Sequence, residues 1–81
     1  MSPTETLQAL YDSEINFRID TFWDAGFDWS LGDQMNGWKA GDNATTFAAA
    51  VEALAAAARE HYPDSTFTLG PEEFAKRLAA A

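Results

Sequence analysis

Eighty-one residues with no cysteine, and thirteen acids against five bases for a net charge of −8, describe one small acidic domain over residues 1–81 without a disulfide framework or a thiolate metal site. The charge repels phosphate backbones, which sets nucleic acid aside as a partner, and no apolar run approaches the roughly 20 residues that cross a bilayer. With no basic-then-apolar leader pattern, the expectation is a cytoplasmic protein with neither a nucleic-acid nor a membrane partner.

The chain opens with Ser2-Pro3-Thr4-Glu5. A serine that caps, a proline at the first helical position and a glutamate that returns a hydrogen bond predict a helix start, followed by Leu7, Leu10 and Tyr11 on one face. The helix is expected to end near Asp12 or Ser13.

A β-hairpin is predicted next. Ile15, Phe17 and Ile19 alternate with Asn16, Arg18 and Asp20, and Phe27, Trp29 and Leu31 alternate with Asp28 and Ser30. A loop Asp24-Ala25-Gly26 pairs Trp23 with Phe27, Thr21 with Trp29 and Ile19 with Leu31. Because strand side chains alternate between faces, that register puts the large apolar residues, Trp23 among them, on one side. Gly32-Asp33 interrupts the pattern and suggests a bulge. Asn36-Gly37 predicts a tight turn that pairs Met35 with Trp38, with Trp38 on the face of Trp29 and a short third strand from Trp38 to Ala40.

From Ala44 to Tyr62, Phe47, Val51, Leu54, Ala58 and Tyr62 recur at helical spacing, with Asn43 or Thr45 as cap and Pro63 as terminator. Alanine fills most of the remaining circumference and supports the helix through its high propensity. Ser65 to Leu69 reads as a last strand with Phe67 and Leu69 facing one way. Gly70-Pro71-Glu72-Glu73 then starts a final helix with Lys76 and Arg77 near its end, which suits the helix dipole. The expected fold is α+β in two layers: an antiparallel sheet of three to four strands with a long helix on one face, in the order helix-strand-strand-(strand)-helix-strand-helix. Phe17, Ile19, Trp29, Leu31, Val51 and Leu54 are the expected core.

Few residues point to chemistry. His61 is the lone histidine, placed where an imidazolium would meet the carbonyls of a helix end, and without a second histidine or a cysteine it predicts no metal site. Ser2, Ser13, Ser30 and Ser65 lie in no nucleophile motif. Asp24, Asp28 and Asp33 lack calcium-loop spacing, and the glycines form no phosphate-binding loop. No cofactor is expected and the protein reads as a non-enzyme. The aromatic residues read either as core or as a stacking platform, and alternation favours core. Phe22 is the exception, since it falls on the polar face beside Arg18 and Asp20. Phe22, Arg18, Asp20, Trp38 and His61 are therefore the candidate contact residues.

The turn Asp24-Ala25-Gly26-Phe27, the segment Gly37-Trp38-Lys39-Ala40, and Gly41-Asp42-Asn43 leading into an Ala-rich helix resemble the N-terminal domain of HicB-type antitoxins. That resemblance implies a sheet-and-helix fold related to double-stranded-RNA-binding domains, and oligomers that neutralise a small basic toxin. The chain departs from the family in its N-terminal helix, its final helix and the lack of a DNA-binding extension. The order of elements also resembles the double-stranded-RNA-binding domain itself, but Asp42-Asn43-Ala44-Thr45-Thr46 replaces the basic residues that hold phosphates there. The expected function is a non-catalytic protein-interaction module whose partner is a protein, a basic one if the acidity serves recognition rather than solubility alone, or the chain itself as a homodimer through a sheet edge or the surface of Ala49, Ala53 and Ala56. The alternatives are a small-ligand binder with an aromatic pocket between sheet and helix, and a small enzyme built around His61.

Overall fold

The computed structural model describes every residue except Asp24, Gln34, Asn36 and Ala81, and the side chains of all described residues except Phe22, Lys39, Ala40, Asp42 and Asn43. Helix α1 spans Pro3–Asp12. Its start is the expected capping box: Glu5 N–H donates to the Ser2 hydroxyl at 3.2 Å, and Ser2 N–H donates to Glu5 Oε1 at 2.9 Å. Leu10 is completely buried, whereas Tyr11 is 72% exposed and does not share its face.

Strands β1 (Phe17–Phe22), β2 (Gly26–Asp33) and β3 (Gly37–Ala44) form one antiparallel sheet in that order, with β2 central. The hairpin register differs from expectation by two residues. Thr21 pairs with Phe27, Ile19 with Trp29 and Phe17 with Leu31. A shift of two leaves every strand side chain on its expected face, because the side-chain period is also two. It does move Trp23 out of the strand and into the loop, where it is 94% exposed rather than packed on the core side. Gly26, at φ +81°, takes the first paired position of β2 opposite Phe22, and a Cβ there would lie 2.6 Å from the carbonyl oxygen of Ala44. Only glycine meets both conditions.

The third strand is longer than the expected Trp38–Ala40 segment and differs in register. Gly32 pairs with Trp38 and Asp33 with Gly37, so Trp38 lies on the face opposite Trp29. Met35 is 95% exposed and does not pair with Trp38, and Asn36 of the expected turn lies outside the described residues. The bulge falls not at Gly32-Asp33 but between Phe27 and Trp29, where β3 shifts register.

Helix α2 runs from Phe47 to His61, shorter at both ends than expected, because β3 stays paired as far as Ala44. Its cap is Thr46, not Asn43 or Thr45; the Thr46 hydroxyl accepts from Ala49 N–H at 3.0 Å. Ala50, Val51, Leu54, Ala55, Ala57 and Ala58 are buried, while Phe47 at the outer end is 40% exposed. The central cluster joins Leu10 and Ile15 to Leu31 of the sheet and to Leu54, Ala57 and Ala58 of α2. Phe17, Ile19, Trp29, Tyr62 and Phe67 pack around it. Val51 is buried beside α1 but lies outside that cluster, in contrast to the expected core.

The segment expected as a fourth strand is a single helical turn, α3 (Thr66–Leu69). Ser65 caps it by accepting from Thr68 N–H at 3.2 Å, and the hydroxyls of Ser65 and Thr68 both donate to the Tyr62 carbonyl, at 2.9 and 2.8 Å. These local bonds satisfy the backbone without a neighbouring strand. Helix α4 (Pro71–Ala80) follows, with no buried residue. Arg77 ties it back to Asp64 at 3.2 Å and pairs within the helix with Glu73 at 3.3 Å. The result is a three-stranded sheet with helices packed on one face. No helix among the described residues is long and apolar enough to cross a membrane.

Candidate functional site

The sheet places its apolar residues under α1 and α2 and leaves the alternate positions on the other face. Arg18 and Asp20 of β1, Asp28 and Ser30 of β2, and Trp38 of β3 share this open face. Arg18 stands opposite Ser30, and Trp38 opposite Gly32. The Arg18 side chain reaches across the central strand and sets its guanidinium carbon 5.3 Å from the centroid of the Trp38 ring. That is cation–π distance, and an arginine stacked this way keeps its N–H edges available to a second group. Trp38 remains 42% exposed.

Two acids flank this stack. Asp20 and Asp28 are directly opposite each other across β1 and β2, and both are exposed. Like charges at opposed positions repel, and both acids add negative charge to this face. At the other end of the face, Asn16 Nδ2 donates to Asp33 Oδ2 at 2.9 Å, while Asp33 Oδ1 accepts from Met35 N–H at 2.9 Å. These bonds hold the entry to the β2–β3 turn.

Three of the five candidate residues, Arg18, Asp20 and Trp38, thus gather on one surface. Trp38 arrives there by a register that sequence alternation did not reveal. Phe22 ends β1 near Asp20, but its side chain lies outside the described residues. His61 does not join them: it is exposed at the C-terminal end of α2, in the helix layer on the far side of the sheet. Ser2, Ser13 and Ser65 are spent on helix ends. Among the described residues, no three histidine, aspartate or glutamate side chains converge as a metal site.

The space between sheet and α2 is occupied by side chains. Phe17, Ile19 and Trp29 pack on the central cluster, and Phe27 meets Phe47 edge to face with ring centroids 6.0 Å apart. A groove of about 480 Å³ lies instead between α1 and α2, with Met1 and Pro3 on one side and Ala48, Glu52, Ala55 and Arg59 on the other. It contains no aromatic ring. Sequence reading missed it, although positions 48, 52, 55 and 59 follow the i, i+4, i+7, i+11 spacing of a helix contact line. No protein-family model, curated protein or solved structure matches this chain.

Proposed function

We propose that this domain is a non-catalytic protein-interaction module that presents the open face of its sheet to a basic protein, as its resemblance to the N-terminal domain of HicB-type antitoxins implies. The observation that carries this reading is the Arg18–Trp38 stack, half open to solvent and bordered by the opposed acids Asp20 and Asp28. A large aromatic ring held flat by a guanidinium is a preorganised contact surface, and aromatic and arginine residues carry much of the energy of protein interfaces. The acids and the net charge of −8 select a basic partner and speed its approach. The element order from α1 to α2 is consistent with the resemblance to double-stranded-RNA-binding domains. The start of α2, Phe47-Ala48-Ala49-Ala50, carries no base to hold a phosphate, which supports a protein over an RNA partner.

The test is to measure by calorimetry the association of the chain with a small basic protein, taking first any such protein encoded beside its gene. Trp38→Ala and Arg18→Glu are each expected to weaken binding at least about tenfold, in line with interface anchors. A partner that binds both variants as tightly as the wild type refutes the open face as the contact surface. Salt-sensitive, sub-micromolar binding to duplex RNA instead refutes the partner class.

A further inference from the structure

We infer that the groove between α1 and α2 seats α2 of a second copy of this chain, the two helices running antiparallel about a two-fold axis at Ala55–Ala56. The argument is charge complementarity. Glu52 and Arg59 line the groove and are both exposed. They lie seven residues apart, two helical turns or about 10.5 Å along one line of α2. A two-fold axis midway between them places Glu52 against the partner's Arg59 and the partner's Glu52 against Arg59. A parallel helix would set like charges side by side, so the charge pattern selects both the orientation and the identity of the occupant. Glu52 makes no ion pair within the chain among the described residues. Arg59 is held with its guanidinium carbon 5.1 Å from the Phe67 ring centroid, which positions the group while leaving N–H donors for a carboxylate.

The shape of the groove agrees with a helix as occupant. Ala55 and Ala56, between the two charges, and Ala48, one turn before Glu52, keep this surface of α2 low enough for helix axes to approach to about 8 Å. Met1, 79% exposed at the rim, supplies a flexible apolar side chain to cover the incoming helix. This contact face differs from the Ala49, Ala53 and Ala56 surface expected from sequence: Ala49 and Ala53 are partly covered within the chain. It lies in the helix layer, so it leaves the open sheet face free.

Sedimentation equilibrium of the full chain from micromolar to millimolar concentration tests the inference. The expected result is a reversible dimer, at twice the 8.9 kDa chain mass. Glu52→Arg should raise the dissociation constant about tenfold, because two exposed ion pairs become two repulsions. Adding Arg59→Glu in the same chain should restore dimerisation, and Trp38→Ala should leave it unchanged. An independent measurement does not depend on how well Arg59→Glu folds. The chain has no cysteine, so Ala56→Cys beside the axis should oxidise to a disulfide-linked dimer while Ala25→Cys in the hairpin loop should not. A single-chain mass at every concentration, a dimer indifferent to Glu52→Arg, or cross-linking at position 25 rather than 56 overturns the inference. Failure here leaves the basic-partner reading standing, since that reading is tested on Trp38 and Arg18.

Discussion

Replacing Gly41 by alanine tests the packing of the sheet against its helix layer. Gly41 pairs with Trp29, and a Cβ at this position would lie 2.5 Å from Trp29 Cε2 and 2.6 Å from Cζ2, with the indole nitrogen nearer still. Side-chain carbons essentially never approach other atoms below about 3.0 Å, so the indole or β3 must move. The indole is hemmed in by the central cluster against which it packs. The backbone at Gly41 has an ordinary φ, so conformational strain adds nothing. Overpacking of this kind costs about 1–3 kcal/mol. The alanine returns about 0.4–1 kcal/mol by restricting the unfolded chain. The net loss is about 1–2 kcal/mol, against a total stability of roughly 4–12 kcal/mol for a domain of this size. At roughly 4–8 °C per kcal/mol, the melting temperature should fall by roughly 5–15 °C. Thermal unfolding followed by circular dichroism, in wild-type and Trp29→Leu backgrounds, isolates the clash. With leucine at position 29 the alanine should be neutral or slightly stabilising, giving a coupling energy of at least about 1 kcal/mol. Equal destabilisation in both backgrounds would show that the indole does not lie over Gly41 and that the pairing of β2 with β3 is different.

Three further outcomes are expected. Leu54→Ala should cost about 2–5 kcal/mol in urea unfolding, and Leu54→Asp should abolish the fold, whereas Phe47→Ala at the half-open end of α2 should cost clearly less than Leu54→Ala. Ser2→Ala should cost about 1 kcal/mol near neutral pH through loss of the cap, read by the same titration. The hydrogen bond from the Ser2 backbone N–H, then the Ser2 hydroxyl, holds the Glu5 carboxyl below its ordinary 4.5. A depressed carboxyl stabilises the fold above its unfolded value and loses that contribution as pH falls through the folded one, so the capping advantage of wild type over Glu5→Gln should vanish in that acid window. A difference that persists unchanged to pH 2 would refute the capping role of the carboxylate.

Legibility followed the range of the interactions involved. The capping box is four consecutive residues, and its chemistry is complete within them. The faces of β1 and β2 were readable because a register shift of two preserves them. Trp38 was not, since its face depends on whether an odd or even number of residues separates it from Leu31 in the pairing, and alternation says nothing about that count. Phe67 and Leu69 alternate as a strand would, yet Ser65 and Thr68 supply a local cap that decides for a helical turn. The signal was present as a Ser-x-x-Thr spacing and competed with the stronger apolar one. The α1–α2 groove depends on where α1 lands on α2, which no local pattern encodes. The stacking of Arg18 on Trp38 likewise needs strands β1 and β3 set on either side of β2 in the right registers.

The lack of burial along α4 divides the molecule into two kinetic regimes. Among the described residues the helix's one ion pair to the rest of the fold is Arg77 to Asp64, and both side chains are substantially solvent-exposed. Such surface pairs hold a helix weakly. Amide protons of the last two turns of α4 should therefore exchange by local fraying, on a clock independent of the global opening that governs β2 and the centre of α2. A fluorophore placed on α4 would therefore report the local motion of that helix rather than the tumbling of the whole chain.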